Sequence, residues 1–284
     1  MMQAMPFKLP RDRAALMGIL NVTPDSFSDG GLYLDREAAV RHGLNLIGAG
    51  ADIVDVGGES TRPGAQPVSV EEEIDRTAPV VEALAKAGAV VSIDTQKAPV
   101  ARAAIEAGAA VVNDVGGLRD PEMVDLLREK AGLGLSVCVM HMKGTPQTMQ
   151  ELAKYDDVVS EVEGYLLAQA GLAEASGLPR CRVWLDPGIG FGKTTEHNLA
   201  LLRATGRLAE HGYPVLIGVS RKSFLGRILG GESTPLPTDQ RLEATLAAEL
   251  FAVERGAKIV RTHDVRATSL ALKTQQRLLV DAPA

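Results

Sequence analysis

Six residues of this 284-residue chain bring carboxylate, amide and cation to the ends of separate apolar runs: Asp94, Asn113, Asp186, Lys222, Arg261 and His263. The two carboxylates and the amide offer acceptors and a donor to a planar heterocycle that bears an amide-like edge and an amino group. The three cationic side chains supply positive charge where a diphosphate could rest. Asn21, after the first apolar run, presents an amide oxygen of the hard type that magnesium accepts. Taken singly, an Asp in such a place is usually a helix cap and a Lys is usually solvated. Asp55, Asp114, His141, Ser220 and Arg221 occupy comparable places, and it is the coincidence that argues for a site.

The elements that position these residues follow from periodicity. Apolar runs rich in Val and Ile recur roughly every 20 to 45 residues, each followed by a Gly, Asn or Asp turn and then an Ala-rich stretch with helical spacing. The runs are Ala15–Asn21, Asp52–Val56, Ala89–Asp94, Ala110–Asn113, Leu135–Met140, Arg182–Asp186, Val215–Val219 and Lys258–Arg261. They are almost continuously apolar, as expected of parallel strands buried on both faces. Helices are expected over Asp35–Ala49, Val70–Ala87, Asp156–Ser176 and Asp239–Arg255, with Asp35 and Ser69 as N-caps and Gly50, Gly88, Gly108 and Gly256 at C-termini. Eight such units close into a (β/α)8 TIM barrel, with an open doubly wound sheet as the alternative, and an α/β barrel commonly spends about 250 residues on one core. The chain therefore reads as one domain over 1–284, with an N-terminal extension, 1–14, laid over the barrel bottom. In a TIM barrel the chemistry belongs at the carboxyl ends of the strands, where these polar residues gather.

Composition excludes several function classes. A formal charge of -6 provides no basic face for nucleic acid. Cys138 and Cys181 have neither metal-ligand spacing nor a disulfide framework, so both read as reduced thiols. Met1 to Arg13 lack an apolar signal core, and no run approaches the roughly 18 apolar residues of a membrane span. The expectation is a soluble, cytoplasmic protein whose anionic ligands are caught locally.

Three loops add to the site. Asn21 to Gly31 combines turn formers, hydroxyls and Phe27, as a lid would. Gly57 to Gly64 places Ser60, Thr61 and Arg62 on a flexible stem suited to phosphate oxygens. Asp186 to Lys193 is Gly-rich enough for a flat ligand to approach backbone, but lacks the register of a Walker loop. The ring that fits the deep carboxylates is guanine-like or a pterin.

With these residues in view, the sequence resembles the dihydropteroate synthase family. The resemblance rests on MGILNVTPDSFSDGG (Met17 to Gly31), DVGGESTRPGA (Asp55 to Ala65), VSIDT (Val91 to Thr95), NDVGG (Asn113 to Gly117) and MHMKGTPQTMQ (Met140 to Gln150). LDPGIGFGKTTEHN (Leu185 to Asn198), GVSRKSFLG (Gly218 to Gly226) and RTHDV (Arg261 to Val265) complete it, in order and over nearly the whole chain. One departure, the absence of a proline in Leu152 to Tyr155, is expected to touch no site residue. The resemblance implies a (β/α)8 barrel that joins a pterin-methyl diphosphate to p-aminobenzoate with loss of pyrophosphate, uses Mg2+, forms a homodimer and is a target of sulfonamides. It implies a pterin pocket of Asp94, Asn113, Met140, Asp186, Gly218 and Lys222. It implies a diphosphate site of Asn21, Arg62, Arg261 and His263, with Asn21 on the metal. It implies a p-aminobenzoate site of Phe27, Ser60, Thr61, Arg62, Pro63, Phe191, Lys222 and Ser223. Asp94, Asp186, Lys222, Arg261 and His263 are then the catalytic set. Two other classes are weighed against it: a methyltetrahydrofolate-binding methyltransferase barrel, which has no need of Arg62, Lys222 or the Arg261-x-His263 pair, and a non-catalytic pterin-binding paralogue, which would lose the lid motifs.

Overall fold

All eight apolar runs form strands, each within two residues of the bounds expected from the sequence. The protein, seen here in a computed structural model, is described over residues 6–23, 31–60, 65–145 and 147–279, with residues 31–35 described by backbone alone. In chain order the elements are β1 (Ala15–Asn21), α1 (Gly31–Gly48), β2 (Ile53–Gly57), α2 (Val70–Lys86), β3 (Val91–Asp94), α3 (Ala98–Ala107), β4 (Val111–Asp114), α4 (Pro121–Lys130) and β5 (Ser136–Met140). They continue with α5 (Val158–Ala175), β6 (Val183–Asp186), α6 (Thr195–Arg203), α7 (Thr205–Ala209), β7 (Leu216–Gly218), α8 (Ser223–Gly230), α9 (Leu242–Glu254), β8 (Ile259–Thr262) and α10 (Val265–Leu279). Every strand pairs parallel with its sequence neighbour, and β8 returns to β1. A bridge between Leu185 and Val215 joins β6 to β7, and the ring of eight closes as a TIM barrel. The open-sheet alternative is thereby excluded.

Alternation within each strand separates two packing environments. Val54, Val56, Ile93, Val112, Val137, Val139, Val183 and Leu185 face outward and share one apolar cluster with the helices. Met17, Ile53, Val111, Cys138, Trp184, Leu216 and Ile259 face inward and meet each other, filling the lower interior. Phe7 and Leu9 pack against this plug from below, and Phe7 meets Trp184 edge-on at 6.1 Å between ring centroids. The segment before β1 thus covers the barrel bottom, as its sequence position suggests. Cys138 is a buried free thiol within the plug and Cys181 an exposed one.

Local signals are mostly obeyed. Ser69 caps α2, its hydroxyl accepting from the Glu72 amide at 3.2 Å. Gly50, Gly88, Gly108 and Gly256 all take the left-handed conformation that releases the chain from a helix. The expected cap at Asp35 is corrected: α1 already runs from Gly31, so Asp35 lies inside its first turns. Among the described residues, no helix is long and apolar enough to cross a membrane.

Candidate active site at the carboxyl mouth of the barrel

On five of the strands the next inward residue, two positions toward the carboxyl end, is polar or charged. Ile53 is followed by Asp55, Ser92 by Asp94, Val111 by Asn113, Trp184 by Asp186 and Ile259 by Arg261, while Cys138 and Leu216 are followed by Met140 and Gly218. Side chains of a strand alternate faces, so this two-residue step carries each of them into the same hollow as the plug but one layer higher. Asp94, Asn113, Met140, Asp186, Gly218 and Arg261 therefore meet in one layer near the carboxyl ends of their strands.

Its ion pairs tie the layer together. Arg261 Nε donates to Asp55 Oδ2 at 2.6 Å, and Arg261 Nη2 donates to Asp94 Oδ2 at 2.5 Å. Asn113 Nδ2 donates to the same Asp55 oxygen at 3.1 Å. In the sequence, carboxylates and cations read as two separate halves; in the structure they interlock at Arg261, because a guanidinium inside a barrel needs anionic partners. Asp55, which in the sequence counts only among the residues at comparable strand ends and has no assigned ligand, enters the site as a full member. Its inward register, shared with Asp94 and Asn113, is the signal that identifies it.

Among the described residues, three acceptors in this layer remain without a partner: Asp55 Oδ1, Asp94 Oδ1 and Asn113 Oδ1. Buried acceptors of this kind are costly unless a donor meets them, so together they define a demand for N–H groups from a ligand. Asp186 accepts the Gly188 amide at 2.7 Å through Oδ1. Burial raises Asp94 to about 7, with Asp55 adding to the rise and Arg261 opposing it. Burial likewise raises Asp186, against the pull of Lys222 and the Gly188 amide.

Lys222 arrives from the turn after β7. Its ammonium lies 4.4 Å from the centre of the Phe191 ring and donates to the Ile189 carbonyl. Burial lowers it to about 8, while Asp186 and Asp94 resist the loss of charge. Arg261 is held above its ordinary value because Asp55 and Asp94 outweigh its own burial. His263 follows β8 at the exposed rim, with Nδ1 3.0 Å from Ser220 Oγ. Ser223 opens α8 directly after Lys222, and Asn21, half-buried, ends β1. Ser60 lies at the edge of the described β2 loop; Phe27, Thr61, Arg62 and Pro63 lie outside the described residues.

The glycines of the β6 loop have a packing reason in addition to any ligand. Gly188 has φ 65°, and a Cβ there would stand 1.9 Å from the His141 carbonyl oxygen. A Cβ at Gly190 would meet Lys222 Cδ at 2.9 Å. This close fit rests on a buried lysine that the sequence did not single out. Lys193, 3% exposed, places its ammonium 3.0 Å from His141 Nδ1 and donates to the Phe191 carbonyl at 3.0 Å. It thereby joins the β5 and β6 loops behind the site. Tyr155 donates to the Gly192 carbonyl at 3.0 Å, so the stretch Leu152 to Tyr155 supports this same loop rather than standing apart from it.

Burial pushes Lys193 down to about 7, and Lys222 adds to the push while Asp186 opposes it. A lysine lowered on folding binds fewer protons in the folded chain, so its contribution raises stability as pH climbs from about 7 to 10.5. Lys193→Met should remove that rise: the variant's stability relative to the parent should fall over this window by about a few kcal/mol. Urea unfolding at several pH values checks the sign.

The comparisons with known proteins agree with this geometry. The sequence model of the family described as "Pterin binding enzyme" matches residues 17–263. A dihydropteroate synthase of Escherichia coli K12 is 46% identical over 265 residues, covering 93% of this chain and 91% of that protein. The chain belongs to the dihydropteroate synthase family. Among solved structures, dihydropteroate synthase of Xanthomonas albilineans with 4-aminobenzoic acid superposes with a TM-score of 0.86 at 47% identity, covering 95% of each chain. That of Thermus thermophilus in complex with 6HMPPP gives 0.80 at 42% identity, again covering 95% of each. Family membership also removes the methyltetrahydrofolate-binding methyltransferase as a competing reading.

Proposed function

We propose that the chain is a transferase that condenses 6-hydroxymethyl-7,8-dihydropterin diphosphate with p-aminobenzoate, giving 7,8-dihydropteroate and pyrophosphate for folate biosynthesis. The observation that carries this reading is the buried layer in which Asp55, Asp94 and Asn113 each hold an unpartnered oxygen beside Asp186 and the ammonium of Lys222. Several acceptors in one layer suit the N–H edge and amino group of a pterin. Met140 and Gly218, from the same layer, would bound its faces.

The nitrogen lone pair of the arylamine forms the new bond at the pterin methylene carbon, the bond from that carbon to diphosphate oxygen breaks, and the amine then gives up one proton. A neutral arylamine needs no strong base, so the residues act chiefly on charge. Asp94 and Asp186 would stabilise positive charge that spreads into the ring as the leaving group departs. Arg62, Arg261 and His263 would stabilise the departing pyrophosphate. Phe191, Lys222 and Ser223 would line the p-aminobenzoate site together with Phe27, Ser60, Thr61, Arg62 and Pro63.

Among the described residues no cluster of three or more His, Cys, Asp or Glu could hold a metal by itself. Magnesium does not require one, since it keeps much of its water and takes the rest of its shell from phosphate oxygens, and the amide oxygen of Asn21 is a donor of the right hardness. When bound there it would neutralise diphosphate charge. The exposed Ile228 and Leu229 of α8 and Leu270, Leu278 and Leu279 of α10 favour a homodimer, which light scattering would test.

The deciding experiment mixes both substrates with the protein, with and without magnesium, and follows dihydropteroate and pyrophosphate. Product in stoichiometric amounts supports the reading; pterin binding without turnover would favour a non-catalytic pterin-binding protein. Binding should be ordered. Calorimetry should find little affinity for p-aminobenzoate alone and clear binding once pyrophosphate is present, and a sulfonamide should compete for that same site.

A further inference from the structure

Arg221 shares the turn after β7 with Lys222, yet neither the pterin nor the diphosphate assignment uses it. The Lys222 amide donates to the Val219 carbonyl at 3.1 Å, which closes a tight turn with Arg221 in third place at φ 57°. A left-handed residue in that place is ordinarily Gly or Asn, because a Cβ crowds the carbonyl that follows. Among the described residues only Leu118 shares this conformation without being glycine. Such strain persists where the surrounding contacts over-determine it.

Those contacts hold Arg221 at its backbone and at its tip. Its amide donates to Thr245 Oγ1 of α9 at 3.0 Å, and its carbonyl accepts from Arg241 Nη1 at 2.9 Å. The two partners are tied to each other, since Thr245 Oγ1 donates to the Arg241 carbonyl at 2.7 Å. The guanidinium grips Asp264, between β8 and α10, with two arms: Nε donates to Oδ2 at 2.8 Å and Nη2 to Oδ1. Asp264 is fixed in turn. Its amide donates to Thr262 Oγ1 at 3.2 Å, and its carbonyl accepts the Thr268 amide at 2.9 Å at the start of α10.

Directly after this turn, the Lys222 ammonium donates to the Ile189 carbonyl and lies 4.4 Å from the centre of the Phe191 ring. A Cβ at Gly190 would meet Lys222 Cδ at 2.9 Å, so the stem runs close against the β6 loop. An exposed ion pair alone contributes little, and the Arg221 side chain is 39% exposed. Here the pair is two-armed and holds a backbone that glycine would adopt without strain, so the position requires the side chain rather than the turn.

We propose that Arg221 is a positioning residue whose two-armed grip on Asp264 fixes the β7 turn, so that Lys222 is held in the pocket against Ile189 and Phe191. Its bearing on catalysis rests on the reading of Lys222 as part of the transferase site. The charges that face the lysine are Asp186 of β6, Asp94 of β3, Arg261 of β8 and Lys193 of the β6 loop. Those that face the grip are Asp239 before α9, Glu249 of α9 and Arg241, while Arg227 of α8 pairs with Glu232. Burial lowers Lys222 to about 8 against the pull of Asp186. With the grip lost, the stem gains access to water, burial weakens, and the ammonium should keep its proton to higher pH.

The test is a pH titration of the lysine side chains in the full chain, labelled with carbon-13 at Cε and followed by NMR, with Lys222 assigned from its absence in Lys222→Met. The Lys222 midpoint should lie near about 8 in the parent. It should lie about one unit higher in Arg221→Gly, which keeps the turn and loses the grip. Asp264→Asn should move it in the same direction, and circular dichroism checks that each variant folds. Lys193 should stay near about 7 throughout. An unmoved Lys222 midpoint in a folded variant would overturn the proposal, and so would a Lys193 midpoint that rises with it, since the whole pocket would then have loosened. None of this needs substrate. With both substrates present, kcat/KM of Arg221→Gly should fall on the order of 10-fold, and its decline should begin at higher pH than in the parent. A moved Lys222 midpoint with unchanged kcat/KM would support the grip and overturn the place of Lys222 in the transferase reading.

Discussion

Arg261→Leu should destabilise the folded chain by roughly 3–5 kcal/mol, the largest effect of any single substitution in the site. The guanidinium holds two carboxylates at once, and Asp55 among them is fully buried. Removing the cation leaves both without compensation in the barrel interior. Asp55→Asn in the same chain should restore a large part of the loss, because an amide can stay beside Asn113 without a charge. The deficit should also depend on pH. A carboxylate raised on folding binds more protons in the folded state, so Asp94 lowers stability as pH rises from 3.8 toward about 7. Without Arg261 that decline should be steeper and extend to higher pH. Urea unfolding of the parent, single and double variants between pH 5 and 8 measures all of this, and equal slopes would argue against the coupling.

Lys222→Ala should lower kcat/KM by a factor on the order of 10²–10³, the usual loss when one buried charged donor is withdrawn from developing charge. The lysine is placed by its contact with Phe191 and by the Ile189 carbonyl, while Gly190 leaves room for its stem. Arginine should rescue little, since a planar fork cannot enter a channel shaped around a methylene chain. Burial lowers the ammonium to about 8 in the bare protein, so kcat/KM of the parent should decline above that pH as the charge is lost. A flat profile to pH 9.5, or full activity in Lys222→Ala, would remove Lys222 from the chemistry.

Much of this arrangement is visible in the sequence because strand alternation is a local rule. Once Val111 and Trp184 are read as inward, Asn113 and Asp186 must be inward as well, and their place at strand ends follows from the turns after them. Asp55 obeys the same rule and stands within the expected strand, but nothing local says which ligand or cation it meets. The pairings themselves are not local. Arg261 and Asp55 are 206 residues apart, and Lys193 and His141 are 52 apart. Nothing in composition says which cation meets which carboxylate until the barrel has closed. The Asp186 to Lys193 loop shows the same limit. Its glycines suggest a ligand approaching the backbone, whereas Gly188 is also required by the His141 carbonyl.

The seam between β6 and β7 is the thinnest part of the cylinder. β7 has three residues, Pro214 brings no amide proton to the ladder, and the seam is an isolated bridge between Leu185 and Val215 in which the Leu185 amide donates to the Pro214 carbonyl. Breathing of the wall should therefore begin there, with the Leu185 amide exchanging hydrogen ahead of its counterparts in β1 to β5. Asp186 and Lys222 stand on opposite sides of this gap, so an occupant touching both would act as a staple, and the resting enzyme would gain its last rigidity from its own substrate.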